Sequence, residues 1–500
     1  MWRIRRLLRT SPIGMRETPR RKAGWFPEWL PSMKTHFSEA QLANPQIAEA
    51  DQILKSCQHF GFCTSGCPTY VLLHDENDSP RGRIDLIKEM LESGEPPSAR
   101  TVGHIDRCLS CMSCMTTCAV KVDYMHLADT AREYIEEHYR RPWAERWTRN
   151  ALAFVLPRRA WFRSALGLGR LASRMKIPVP PRLRPALQLL PEKPPEPEER
   201  FEGEVFQAEG LRRWRVALLS GCVQPEMAPQ INAATIRLLT RFGCEVLVPK
   251  EAGCCGSLNL HMGKGVSARA FARANVKAWG RLLESGGLDA IVTNASGCGT
   301  TVKDYGHLLG DEPGMASMAR KMASLACDVS EWVLSMRLPV PEHPRRHRVA
   351  YHDACSLRNA QRVTAQPRQL LREAGYAVQD VPESHFCCGS AGTYNILQPA
   401  IAAELGQRKA GNIASTDPQI VAAGNIGCIT QIGLYSEIPV VHTIELLDWA
   451  HGGPVPPALR EKDLQEVEAS GMAPVAAPAV EQVVSFMEQT PKGASDVGIW

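Results

Sequence analysis

At 500 residues, with 44% hydrophobic and 22% charged side chains, the chain has room for two or three domains with their own cores and the balance of an ordinary globular protein. A net charge of +5 is too small a bias to point to nucleic acid, and no run of about 18 apolar residues is long enough to span a bilayer. Seventeen cysteines, clustered in short motifs with no secretory leader before them, fit metal-bound thiolates in a reducing compartment better than a disulfide framework, so the chain reads as cytoplasmic.

Residues 1–32 carry eight Lys or Arg against Glu17 and Glu28, with Trp2, Trp25, Phe26 and Trp29 interspersed. They read as a basic extension without fixed structure, the alternative being a targeting or membrane-surface segment. A helix is expected from Phe37 to Lys55, leading into Cys57-Gln-His-Phe-Gly-Phe-Cys63-Thr-Ser-Gly-Cys67-Pro68. Ser79-Pro80 is an N-cap with proline at the first helical position, and Ile84, Ile87, Met90 and Leu91 share one helical face up to Gly94. Cys108, Cys111, Cys114 and Cys118 follow, then a helix from about Tyr124 to Tyr139. Residues 33–140 are therefore expected to form an all-helical domain wrapped around clusters.

The spacing Cys-x-x-Cys-x-x-Cys-x-x-x-Cys at 108–118 is the ferredoxin pattern, in which three close thiolates hold one cluster and the fourth reaches across to another. In that scheme Cys108, Cys111 and Cys114 with Cys67 hold a 4Fe-4S cluster. The second set is Cys57, Cys63 and Cys118, with Phe60 where a fourth ligand belongs. A phenyl ring cannot ligate iron, which leaves a 3Fe-4S cluster, a labile four-iron cluster, or a site without metal. Ala119 replaces the usual proline after the motif. Structural zinc also takes four thiolates, but its ligands usually come as two separated pairs, so iron–sulfur is preferred.

Trp143 to Met175 alternates basic and bulky apolar residues, as in a basic amphipathic helix lying on an anionic membrane, on a partner subunit, or on its own protein. Pro178 to Pro197 holds eight prolines and reads as a linker within residues 141–213. An internal repeat then occupies 214–340 and 341–450. A strand running to Cys222 matches one running to Cys355, each followed by a helix closed by glycine (Gly243, Gly375) and a short second strand. Cys254-Cys255-Gly256 and Cys387-Cys388-Gly389 come next, both 32 residues after the first cysteine of their copy. Third strands are expected to end at Cys298 and Cys428. Alternating strands and helices predict two small α/β units with parallel sheets and cysteines at strand C-termini, so the fold class is α plus α/β. Cys222, Cys254, Cys255, Cys298, Cys355, Cys387, Cys388 and Cys428 are candidate metal ligands. Cys244 and Cys327 read as buried small hydrophobes, and His261, His352 and His385 as core or hydrogen-bonding residues at least as readily as ligands. Residues 451–500 read as a disordered tail.

No nucleotide fingerprint accompanies these motifs, so the chain is expected to carry electrons without a flavin of its own and to have no catalytic residues of its own. From about Met33 to Ala450 it resembles the iron–sulfur subunits of bacterial glycolate oxidase. The resemblance rests on Gly61-Phe62-Cys63-Thr64, Cys67-Pro68-Thr69-Tyr70, Ser79-Pro80-Arg81-Gly82-Arg83, Cys108-Leu109-Ser110-Cys111, both Cys-Cys-Gly motifs, Ala295 to Gly299, Gly424 to Cys428 and Val441 to Asp448. It implies flavoprotein partner subunits that oxidise glycolate, with quinone or another membrane acceptor downstream and peripheral contact with the inner face of the plasma membrane. The repeat is similar to the cysteine-rich domain of heterodisulfide reductase B-type subunits, except that Thr301 and Gln431 stand where a fifth cysteine belongs. This leaves one ordinary cluster per copy or a single occupied copy. Lactate or glycerol 3-phosphate as the donor, and a thiol or disulfide reductase, are the alternatives.

Overall fold

The computed structural model describes residues 33–191, 201, 203–342, 344–462 and 464–466. The basic extension at 1–32 and most of the expected tail, 467–500, lie outside the described residues. From 33 to 138 every regular element is helical. The expected helix from Phe37 to Lys55 is two helices, Glu39–Leu42 and Pro45–Ser56, because the Asn44 side chain caps a new start with Pro45 at its first position. The helix Pro80–Ser93 is capped by Ser79 and closed by Gly94 at φ +66°. It packs with Tyr124–His138 around Ile84, Ile87, Leu127, Ala131 and Ile135, into which Cys57 and Cys114 also project.

The amphipathic stretch is likewise two helices, Trp143–Val155 and Arg159–Arg174, broken around Pro157. Part of the expected linker is ordered as a helical turn, Pro181–Leu183, and a short helix, Arg184–Gln188.

The repeats supply two sheets. The first is built from β1 (Glu204–Phe206), β2 (Trp214–Leu218), β3 (Cys244–Val248), β4 (Ala290–Thr293) and β5 (Ala326–Asp328), in the order β1-β3-β2-β4-β5. All its pairings are parallel except that of β1. The second contains β6 (Arg348–His352), β7 (Ala377–Asp380), β8 (Ile420–Ala423) and β9 (Val440–His442), all parallel in the order β7-β6-β8-β9. Strands such as Val216-Ala217-Leu218 and Ile420-Val421-Ala422-Ala423 are uninterrupted buried runs, as sheets covered on both faces require.

Two expectations need correcting. The third strands stop at Thr293 and Ala423, and Cys298 and Cys428 sit in the first turns of the helices that follow, Ser296–Lys303 and Ile426–Gly433. The chain just after 450 is also not loose: Pro457–Leu459 forms a turn, and Leu459, with Leu464 beside it, packs into the core. That core is shared by both sheets, joining Val216, Leu238 and Leu239 to Val349, Tyr351 and Leu447. Arg237 and Arg241 seal the junction on the buried Asp448 carboxylate at 2.8 and 3.2 Å.

Candidate metal centres

The helix Pro68–Leu73 begins at Cys67, and the sulfur of that N-cap residue faces the loop carrying Cys108, Cys111 and Cys114. These four sulfurs lie within electrostatic reach of one another, and all but the half-buried Cys108 are classed as buried. Beside them lies Arg83, 1% exposed, whose guanidinium donates to the His104 carbonyl at 2.7 Å and the Thr69 hydroxyl at 3.0 Å. It also approaches the Cys67 sulfur at 3.9 Å and pairs with Asp78 at 3.2 Å. Arg132 donates to the Cys108 carbonyl at 2.8 Å. Burial pushes the Cys108 thiol up, but Arg83 and Arg132 outweigh it and hold the group below its usual range. Burial and the neighbouring sulfurs push Cys111 and Cys114 well up. A bound metal cation turns such a crowd of sulfurs from costly to favourable, because coordinating thiols are deprotonated outright.

The second set, Cys57, Cys63 and Cys118, lies nearer the surface. Burial, then Cys57 and Cys118, push Cys63 up to about 11. Val122 N–H donates to the Cys118 sulfur at 3.4 Å. Phe60 is 47% exposed and its ring rests at a tilt against that of Phe62. Cys63 senses Cys67, and Cys114 senses Cys63, so the two sets adjoin.

In the first repeat the Cys254 side chain lies against those of Cys222 and Cys255, and that of Cys255 against Cys298. In the second, the Cys355 and Cys387 sulfurs are 3.8 Å apart and the Cys388 side chain lies against that of Cys428. The glycine of each Cys-Cys-Gly motif explains the motif. Gly256 has φ +93° and Gly389 φ +90°, and their N–H groups donate to the Cys254 and Cys387 sulfurs, both at 3.4 Å. A Cβ at either position would come within 2.9 Å of the Ala268 carbonyl or 2.5 Å of the Ala402 carbonyl.

The second repeat also touches the ferredoxin-like loop. Asn359 donates to the Cys111 carbonyl at 2.8 Å, Tyr394 donates to the Arg107 carbonyl at 2.9 Å, and Cys111 and Cys387 share an apolar cluster with Leu109 and Leu405. A cavity of about 710 Å³ is lined by Cys222, Cys255 and Cys298 of one repeat and Cys355, Cys387, Cys388 and Cys428 of the other. Its roof is apolar and includes Trp147, Leu152, Phe162, Leu166, Leu187 and Leu190.

Cys244 and Cys327 lie on β3 and β5, Cys244 with its sulfur 3.8 Å from that of Met336. None of the seventeen cysteines is paired in a disulfide. The donor sets, their burial and the N–H groups aimed at sulfur fit iron–sulfur groups. Arg83, Arg132 and Asn359 carry no signature in the sequence. Arg83 belongs to Ser79-Pro80-Arg81-Gly82-Arg83, but its role depends on a partner at Cys67 that only the fold brings near.

The 4Fe-4S dicluster domain family matches residues 56–123, and the cysteine-rich domain family matches residues 216–303 and 349–433. The chain is 39% identical over 419 residues to the glycolate oxidase iron–sulfur subunit of Escherichia coli K12, covering 84% of this chain and 99% of that one. It is 30% identical over 449 residues to the probable glycolate oxidase iron–sulfur subunit of Bacillus subtilis 168, with the same coverage. Lactate utilization protein A of Bacillus licheniformis is 26% identical over 242 residues, which is 47% of this chain and 99% of that protein. Among solved structures, a hypothetical protein from Helicobacter pylori superimposes with a TM-score of 0.50 at 9% identity, over 85% of this chain and 76% of the other.

Proposed function

This chain belongs to the glycolate oxidase iron–sulfur subunit family and is an electron-transfer subunit of an oxidoreductase complex; from that premise we propose which of its residues carry the electrons and where they leave. Flavoprotein subunits of the same complex oxidise glycolate to glyoxylate, and this chain receives the two electrons released. Cys67, Cys108, Cys111 and Cys114 hold a 4Fe-4S cluster, and Cys57, Cys63 and Cys118 hold a three-iron cluster. The cysteine sets of the repeats hold further iron–sulfur groups. When bound, such groups accept and pass on electrons singly, and their potential follows cluster charge, hydrogen bonds to sulfur and exposure.

The single observation that carries this reading is that the sulfur sets adjoin in series. The Cys57 set neighbours the Cys67 set, which neighbours Cys355 and Cys387, and these line one cavity with the first repeat's cysteines. The buried charges of Arg83 and Arg132 favour the reduced form at the complete set, because each offsets negative charge on the sulfurs beside it.

For the acceptor we favour a quinone. The cavity is roofed by apolar side chains of the helices Trp143–Val155 and Arg159–Arg174, and these helices expose Trp143, Trp161 and Leu168 among arginines. Aromatic and basic groups together suit an interface with anionic lipid, which supports reading the subunit as a peripheral protein on the inner face of the membrane. Among the described residues, no helix is long and apolar enough to cross a membrane.

Anaerobic titration of the purified complex with glycolate tests the reading. Bleaching of the iron–sulfur absorption in the complex, its absence in the isolated chain, and reoxidation by a quinone analogue are expected. Bleaching by lactate and not by glycolate would move the assignment to the alternative donor, which the lactate-utilization relative keeps open.

A further inference from the structure

The two repeats differ at one buried position. Three residues before the first cysteine of each set stands Leu219 in one copy and His352 in the other, at the ends of equivalent strands. His352 is 1% exposed, and neither of its ring nitrogens has a hydrogen-bond partner. Two other buried histidines, His126 and His442, are satisfied on both sides, and of the buried histidine His347 only one ring nitrogen, Nδ1, is without a partner. His126 meets Asp123 and Asp304, and His442 meets the Asn294 carbonyl and the Ile444 N–H. A buried imidazole without partners is unfavourable unless something else engages it.

What lies near it is sulfur. A ring nitrogen of His352 and the sulfurs of Cys388 and Cys428 all lie within 4.8 Å of one another. Each iron of a two-iron cluster takes two protein donors, which with bonds of about 2.0–2.3 Å stand roughly 3.5–4 Å apart, a separation that a small side-chain rotation gives His352 and one of these sulfurs. The polar groups around the site are already committed elsewhere. Lys409 donates to the Glu383 carbonyl at 2.7 Å, and Asp353 is held by Arg358 and Arg368. Gln431 accepts from Asn395 at 3.0 Å and donates to the Ala402 carbonyl at 2.9 Å. The ion pairs on Asp353 also fix the turn that carries His352 to Cys355.

We propose that His352 is a ligand of the iron–sulfur centre held by the second repeat, so that this centre has mixed nitrogen and sulfur ligation where the first repeat offers sulfur alone. The inference rests on the iron–sulfur reading of the repeats given above. A neutral imidazole taking the position of one of the four thiolates of this repeat lowers the negative charge of the centre and raises its potential, as the histidine ligands of Rieske-type centres do. The two repeats would then differ in redox level across the cavity they share.

The test is pulsed electron paramagnetic resonance on the dithionite-reduced complex, grown with ¹⁵N-histidine, with iron and sulfide counted on the same sample. A coupling from directly bonded histidine nitrogen is expected, and it should vanish in His352→Ala. In His352→Cys the nitrogen coupling should vanish while iron and sulfide stay at the wild-type count, and the midpoint potential of that centre should fall. Full iron and sulfide with no histidine coupling, or a coupling that survives His352→Ala, would overturn the ligand assignment alone. A sample with zinc and no sulfide would overturn the iron–sulfur reading along with it.

Discussion

The two cysteine sets of the helical region come from one repeated motif but ended in different surroundings. The complete set lies under the second repeat with Arg83 and Arg132 at its sulfurs, whereas the incomplete set lies towards the surface with Phe60 exposed. A site at the centre of a contact network cannot lose a ligand without losing the packing built on it. A peripheral one can, and its lost ligand leaves an exposed ring that costs little.

The largest effect should come from the complete set. Cys111→Ala removes a sulfur from the junction with Asn359 and Cys387, and glycolate-driven quinone reduction should fall to background. Retention of activity would show that the electrons bypass this set. Next comes Arg83→Met, which leaves Asp78 buried with less compensation. Breaking a buried pair in this way costs about 3–5 kcal/mol, measurable by denaturant unfolding, and the midpoint potential of the adjacent centre should drop with the lost positive charge.

Docking of the helical region on the first repeat should depend on pH. Burial would push His126 down, but Asp304 and Asp123 outweigh it and raise it to about 11. A folded-state value above the unfolded one of about 6.5 means that the contribution is complete below that pH and is lost as pH rises through about 11. His126→Gln should flatten the alkaline limb of a stability–pH curve, and an unchanged limb would place the docking energy elsewhere.

Phe60→Cys, at the incomplete set, should barely change stability. It should convert a three-iron signal into a four-iron one, and failure to do so would show that more than the missing thiol separates the two sets. The smallest effect on electron transfer is expected at Glu226, which ties Arg159 and Arg163 of the cavity roof to the first repeat at 3.2 and 2.7 Å. Because Arg163 is half exposed, Glu226→Gln should cost only about 1 kcal/mol, read as faster proteolysis within 143–190.

Local chemistry made much of this legible in the sequence. Ser79-Pro80 and Gly94 bound a helix, Gly243 and Gly375 close equivalent helices, and matched spacing exposed the repeat. Asn44-Pro45, a capping residue followed by proline, carries the signature of the break that divides the expected helix from Phe37 to Lys55. The helical positions of Cys298 and Cys428 were harder, because a short apolar run does not show where a parallel strand gives way to its helix. The assembly was not legible at all. It depends on pairs such as His126 with Asp304 and Asn359 with Cys111, 178 and 248 residues apart, for which sequence has no local signature.

The central claim is that one motif holds a complete four-iron site and its damaged copy a three-iron site, in series. Electron paramagnetic resonance of the anaerobically purified complex, as isolated and after dithionite, tests it most directly when iron and sulfide are counted on the same sample. The account predicts a three-iron signal in the oxidised state, abolished by Cys63→Ala, beside a reduced four-iron signal abolished by Cys111→Ala. A reduced four-iron signal with no oxidised three-iron signal would contradict it, since the Cys57, Cys63 and Cys118 set would then hold no three-iron cluster.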